Sequence, residues 1–144
     1  MSNNELVSIL IPVYNREKYI AQAIESAINQ TYINIEIIIS DNCSTDTSLE
    51  VIESYAKNDS RIKVVTNDSN IGPVNNWIRC LEVARGKYAT FLFSDDYYEE
   101  GFILSALELF DEETAFVISP VDIFYEEDSL IYYRKTMYIN KTCV

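Results

Sequence analysis

Apolar positions along the chain follow two alternating rhythms. Unbroken β-branched runs give way to stretches in which apolar residues recur every third or fourth position. Leu6-Val7-Ser8-Ile9-Leu10-Ile11 predicts a first strand, stopped by Pro12. Between Glu17 and Asn29, the residues Ile20, Ala23, Ile24, Ala27 and Ile28 share one helical face. Residues 35–39 predict a second strand, apolar almost throughout, as happens when both faces of a sheet are covered. A helix opening at Thr45-Asp46 carries Leu49, Val51, Ile52 and Tyr55 inward, and residues 61–65 make a weaker third strand. Pro73 suits the first turn of a helix that runs to about Arg85 and is ended by Gly86. Residues 88–93 predict a fourth strand, 100–110 another helix and 115–119 a further strand. From Val121 onward, short β-like pieces around Glu126-Glu127-Asp128-Ser129 predict a hairpin tail over 121–144.

Strands alternating with helices indicate βαβ units, hence an α/β domain with a mostly parallel sheet. Such sheets bind ligands outside the carboxyl ends of their strands. Three polar clusters fall there: Pro12-Val13-Tyr14-Asn15-Arg16, Ser40-Asp41-Asn42 and Ser94-Asp95-Asp96. Adjacent carboxylates at a strand end raise one another's pKa, and a divalent cation reverses that penalty. Mg²⁺ or Mn²⁺ commonly bridges one or two carboxylates to substrate phosphates. A solvated acidic turn is the plainer alternative for Asp95-Asp96. Tyr14 can present a flat ring to a base or cover the rim of the core. Arg16 is either a phosphate or carboxylate partner or a solvated cation. Asp41 can accept the imide N–H of a pyrimidine, or bond the backbone of its own turn. Asp46 reads as a helix N-terminal charge, and Asn70-Ile71-Gly72-Pro73 as a turn and helix start.

Composition narrows the function classes. At 144 residues and 48% hydrophobic, the chain is expected to form one domain, 1–144. A net charge of −12 argues against nucleic acid or an anionic membrane surface as partner. No apolar stretch approaches the roughly 20 residues needed to span a bilayer, and membrane association is not indicated. The absence of histidine removes every Ser-His or Cys-His nucleophile. Cys43, Cys80 and Cys143 lack metal-ligand spacing and read as thiols of a cytoplasmic protein. With three glycines in all, neither a P-loop nor a dinucleotide fingerprint can be drawn. Phosphates would therefore be held by metal at Asp95 and Asp96. A signalling receiver needs an acidic pair after the first strand, where this chain has Pro12-Val13-Tyr14-Asn15. A sugar-nucleotide pyrophosphorylase needs a glycine-rich loop there. A non-catalytic nucleotide-binding or interaction module stays open as the alternative.

Val7 to Asn15, Ser40-Asp41-Asn42-Cys43-Ser44-Thr45-Asp46, Asn70-Ile71-Gly72, Ala84-Arg85-Gly86-Lys87-Tyr88 and Ser94-Asp95-Asp96 together resemble glycosyltransferase family 2, over about residues 7–102. The resemblance implies the GT-A fold, a Rossmann-like and mostly parallel sheet flanked by helices. It also implies inverting transfer from a nucleoside-diphosphate sugar, UDP favoured, to a hydroxyl of a glycan or lipid-linked acceptor in polysaccharide or glycan biosynthesis. By the same resemblance Pro12, Tyr14 and Arg16 contact the nucleotide and Asp41 bonds the base. Asp95 contacts ribose or metal, and Asp96 ligates the Mn²⁺ or Mg²⁺ that sits on the diphosphate.

Three positions depart from the family pattern. The segment usually read Asp-Asp-Gly-Ser is here Ser40-Asp41-Asn42-Cys43-Ser44, which keeps one carboxylate and loses its acidic neighbour. Ser94 opens the metal motif in place of aspartate, and Asn76-Trp77-Ile78 replaces an Ala-Arg-Asn run. Family members carry the catalytic base and most of the acceptor site in a following segment, expected beyond Val144. The chain is thus expected to bind nucleotide and metal, to be truncated before the acceptor-binding half, and to be catalytically incomplete.

Overall fold

β1 (Val7–Val13) and β2 (Ile35–Asp41) are buried at every position, which explains why their sequences are apolar without alternation. The computed structural model describes residues 4–111 and 113–118. Two βα units lead from these strands through α1 (Ile20–Ile28) and α2 (Ser48–Ala56) to β3 (Ile62–Thr66). A third helix, α3 (Pro73–Val83), returns the chain to β4 (Tyr88–Phe91). The four strands form one parallel sheet in the order β3-β2-β1-β4. In register, Ile9 lies opposite Ile37 and Thr90, and Val13 lies opposite Asp41.

The connections from β1 to β2 and from β2 to β3 step one way across the sheet, and the connection from β3 to β4 steps back. Right-handed crossovers therefore put α1 and α2 on one face and α3 on the other. Ile20, Ala23, Ile24 and Ala27 of α1 are fully buried, and α1 packs on α2. On the opposite face Cys80 of α3 joins Leu10 and Ile38 in a core cluster. Burial pushes the Cys80 thiol up to about 11, so it is a packing group and no nucleophile.

Pro12 does not stop the first strand as its residue type predicts, because β1 continues to Val13. In a parallel ladder, alternate residues bond opposite neighbours. The Leu10 carbonyl accepts Leu92 N–H at 2.9 Å on the β4 side, and the Val13 carbonyl accepts Asn42 N–H at 2.9 Å on the β2 side. Pro12 shares the parity of Leu10. Its missing N–H thus faces β4, whose pairing ends at Phe91, and costs β1 no bond to β2.

At the amino ends of the strands a buried carboxylate ties three segments together. Glu36 accepts the Ser8 hydroxyl and the Arg85 main-chain N–H, each at 2.6 Å, and both Nε and Nη2 of Arg85 at 3.2 Å. Gly86 N–H then donates to Ser8 Oγ at 2.9 Å. This explains the Arg85-Gly86 pair structurally and ends α3 at Val83, two residues before the predicted stop.

The contacts divide the chain into two compact units, one ending at Phe102 and one beginning at Ile103. The second begins within α4 (Phe102–Glu108) and continues into a turn where Thr114 Oγ1 donates to Asp111 Oδ1 at 2.6 Å. Residues 115–118 form no strand, contrary to expectation, since a short apolar run becomes a strand only with a ladder partner. Ser119 and the predicted hairpin over 121–144 lie outside the described residues. No described helix is long and apolar enough to cross a membrane.

Two stability measurements test the Glu36 tie. A Cβ at Gly86 would meet Ser8 N and Oγ at 2.6 Å, so Gly86→Ala is expected to cost about 1–3 kcal/mol in urea unfolding. Burial raises the Glu36 carboxyl, but the bonds from Ser8 and Arg85 outweigh burial and leave it lowered. A lowered folded pKa contributes stability above the ordinary glutamate value, lost as pH falls through the folded one. Glu36→Gln is expected to lower stability at neutral pH and to flatten the loss below about pH 4.3, near the unperturbed glutamate value.

Candidate nucleotide cleft

The strand order reverses between β1 and β4, so the loops leaving these strands diverge and open a crevice at the carboxyl edge of the sheet. A cleft of about 330 Å³ lies there. Its walls come from four segments: Pro12 near the end of β1 with Tyr14 and Arg16 after it, Asn42 after β2, Asn70, Asn76 and Trp77 around the start of α3, and Phe93, Ser94 and Asp95 after β4.

Two non-glycine residues in the left-handed region shape the rim, Asn15 at φ 51° and Cys43 at φ 62°. Asparagine tolerates this conformation, whereas Cys43 occupies the position that the family pattern gives to glycine. Asn15 N–H donates to Ser44 Oγ at 3.0 Å, and its Oδ1 accepts Thr45 N–H at 2.8 Å. Arg16 N–H donates to Ser48 Oγ at 2.7 Å and Glu17 N–H to Asp46 Oδ2 at 3.2 Å. These bonds lace the first loop to the start of α2, and α1 accordingly begins at Ile20 rather than Glu17. Burial raises the Asp46 carboxyl, and hydrogen bonds from Ser48 and Glu17 outweigh it and leave it lowered. Asp46 is therefore the helix-start charge that its position suggests.

Of the six residues singled out from sequence, four share the cleft: Pro12, Tyr14, Arg16 and Asp95. Tyr14 is 42% exposed there. Arg16 Nε lies 3.5 Å from Asp95 Oδ2, with both side chains about half exposed, so the pair contributes little stability and separates cheaply. Asp41 sits behind the wall at 1% exposure. Its Oδ2 accepts Ser44 N–H at 3.0 Å, while its Oδ1 is buried with no hydrogen-bond partner among the described residues. Asp96, which follows Asp95 in the chain, is not among the residues that line the cleft. Partial desolvation, and then the charge of Asp95, hold its carboxyl above the usual aspartate range.

The charge of Asp95, the smaller of these two causes, is one that a bound cation would offset. Among the described residues, no group of three or more His, Cys, Asp or Glu side chains could hold a metal. Asp95 and Asp96 nevertheless fit Mn²⁺ or Mg²⁺ if diphosphate oxygens and water complete the shell, the usual arrangement for a magnesium-type site.

Sequence reasoning missed the floor of the cleft. Asn42, Asn67, Asn70 and Asn76 form one amide network: Asn42 Nδ2 donates to Asn70 Oδ1 at 2.9 Å, and Asn67 Nδ2 to Asn76 Oδ1 at 2.9 Å. The available signal was Asn76, which with Cys80 makes up the buried face of α3. An amide at a core position of a helix has to be satisfied by something specific. Trp77, one turn before Leu81, packs its ring centroid 5.5 Å from Phe93 and 6.2 Å from Phe91, forming an aromatic wall.

Comparison with known proteins agrees with this architecture. Residues 8–143 match the family model described as glycosyl transferase family 2. An uncharacterized glycosyltransferase of Haemophilus influenzae is 46% identical over 95 residues, 66% of this chain and 38% of that protein. The Escherichia coli UDP-Glc:alpha-D-GlcNAc-diphosphoundecaprenol beta-1,3-glucosyltransferase WfaP is 40% identical over 112 residues, 78% of this chain and 44% of that protein. The crystal structure of S. aureus TarS 1-349 in complex with UDP-GlcNAc superposes with a TM-score of 0.69 at 32% identity, covering 74% of this chain and 31% of that one. The chain thus spans less than half the length of these relatives. Its parallel sheet flanked by helices is part of a GT-A domain, and the chain belongs to glycosyltransferase family 2.

Proposed function

We propose that the chain is the donor-binding part of an inverting glycosyltransferase that moves a sugar from a nucleoside diphosphate to a hydroxyl acceptor during polysaccharide or glycan synthesis. One observation carries the proposal: Tyr14, Arg16 and Asp95 line a single cleft at the switch point of the sheet, with Asp96 the next residue in the chain. The names of WfaP and of the TarS complex support a UDP-sugar as the donor. The WfaP name also supports a lipid-linked glycan acceptor.

In this assignment Tyr14 and Trp77 supply flat apolar surface to the nucleoside. Arg16 exchanges its weak contact with Asp95 for the diphosphate, where its fork of N–H donors fits phosphate oxygens. Asp95 and Asp96 hold Mn²⁺ or Mg²⁺. When bound, that ion supplies Lewis-acid neutralisation of the charge that builds on the departing nucleoside diphosphate. Pro12 and Asp41 keep the rim in shape behind the base. No described carboxylate is assigned the acceptor base.

Calorimetry with the full chain provides the test. UDP is expected to bind only with Mn²⁺ or Mg²⁺ present, and Asp96→Ala to weaken that binding at least about tenfold, one lost charge-assisted interaction, while the unfolding midpoint stays close to that of the parent. Metal-independent binding, or an Asp96→Ala variant that binds like the parent, would sink the assignment. Arg16→Ala is expected to weaken UDP about tenfold or more and to leave uridine unchanged, because its contact is to phosphate. Equal losses for both ligands would place Arg16 elsewhere.

A further inference from the structure

Asn42 is 2% exposed, yet it lines the cleft. The polarity of its amide is not open to choice, because its partners are anchored to main-chain groups of fixed character. Ile71 N–H donates to Asn42 Oδ1 at 2.9 Å, which identifies that atom as the acceptor. Asn67 Nδ2 donates to the same oxygen at 3.2 Å. Asn67 is oriented in turn by Asn76, whose Nδ2 donates to the Ser40 carbonyl at 2.9 Å and whose Oδ1 accepts Ser40 Oγ at 2.7 Å. Asn70 Oδ1 accepts Gly72 N–H at 2.9 Å as well as Asn42 Nδ2.

The accounting is then complete. Both lone pairs of the Asn42 oxygen are occupied, and so is one of its two amide hydrogens. Among the described residues, the only hydrogen-bonding capacity left to this side chain is a single N–H. Asn70 is limited in the same way, since its oxygen also accepts twice and only its amide hydrogens stay free. Asn42 and Asn70, which line the cleft, therefore have side-chain donors and no side-chain acceptor left to offer.

Resting on the assignment of the cleft to a nucleoside diphosphate, we infer that Asn42 is the base-reading residue and that it reads a hydrogen-bond acceptor on the base rather than an imide N–H. The acceptor is a pyrimidine carbonyl or an unprotonated ring nitrogen. A carboxylate, which the family pattern places beside the first aspartate of its Asp-Asp-Gly-Ser segment, has the opposite character and would take the imide proton. Asp41 retains an unpartnered oxygen, but it is sealed behind the wall and does not line the cleft. A second exchange accompanies the first. Trp77 stands where the family pattern has arginine, and it lines the same cleft. The carboxylate and the cation are both absent, so Asn42, Asn70, Asn76 and Trp77 line the cleft without a charge. The charged residues that line it are Arg16 and Asp95.

Calorimetry of the full chain with Mn²⁺ and three ligands, UDP, CDP and 4-thio-UDP, tests the inference. Sulfur is a poor acceptor, and 4-thio-UDP keeps the imide N–H. If Asn42 donates to the 4-carbonyl, UDP binds best and 4-thio-UDP at least about tenfold more weakly, the loss of one buried hydrogen bond. If it donates to the 2-carbonyl, which all three ligands carry, the three bind alike. If it donates to a ring nitrogen, CDP binds at least about tenfold more tightly than UDP, since the imide proton of uracil would face a donor. In every case the isosteric Asn42→Asp change weakens the preferred nucleotide about tenfold or more, by presenting an acceptor to an acceptor. Trp77 is the single tryptophan of the chain, and quenching of its fluorescence by the preferred nucleotide reports that binding occurs in this cleft. Equal affinity for UDP and 4-thio-UDP with CDP much weaker overturns the inference and leaves the donor assignment standing. An Asn42→Asp variant that folds and binds UDP as well as or better than the parent does the same. Should that variant fail to fold, the parent's three affinities decide alone. Failure of every nucleotide to bind overturns the donor assignment together with the inference.

Discussion

The structure depends on β1 being paired on both sides while buried on both faces. A central strand in that position has to be apolar at nearly every residue and has to send its backbone hydrogen bonds to two neighbours. Val7 to Val13 meets both demands, with β2 along its whole length and β4 along its first four residues. Once the sheet is parallel, every loop at one edge follows a strand and every loop at the other precedes one. Chemistry gathers at the first edge because chain direction puts Tyr14, Asn42 and Asp95 there together.

The two edges handle buried polarity differently. At the amino edge a charged group, Glu36, is held by four donors from Ser8 and Arg85, a closed arrangement with no ligand in view. At the carboxyl edge the Asp41 carboxylate is buried with one oxygen unpartnered among the described residues, and beside it neutral amides are linked through Asn42, Asn67, Asn70 and Asn76. Neutral amides cost less to desolvate than ions and, unlike an ion pair, can keep a hydrogen in reserve. One edge locks the fold, and the other stays partly unsatisfied toward the cleft.

Much of this was legible from residue order alone. Runs such as Ile35 to Ile39 announce a doubly covered strand, and the clusters after the strands announce a rim. Element ends were less legible, because they are decided by partners distant in sequence. α1 starts late because Glu17 is engaged with Asp46 and Thr47, and α3 stops early because Arg85 turns to Glu36. The amide floor was legible least of all. Asn70 reads as a turn residue and Asn76 as a departure from a motif until the fold shows both bonded into one network. Hydrogen-bond satisfaction is a three-dimensional property that spacing along the chain does not encode.

Pro12 has a consequence that reaches beyond its own strand. The next rung after the Leu92 to Leu10 bond would require a hydrogen on the nitrogen of residue 12, and an imino acid has none. The seam between the two strands cannot zip further, and the chain after Phe91 is released to veer outward with Phe93, Ser94 and Asp95. A vacancy in the ladder, one atom wide, thus holds the mouth of the pocket ajar, and any other residue type at that position would give the backbone a means of drawing it shut.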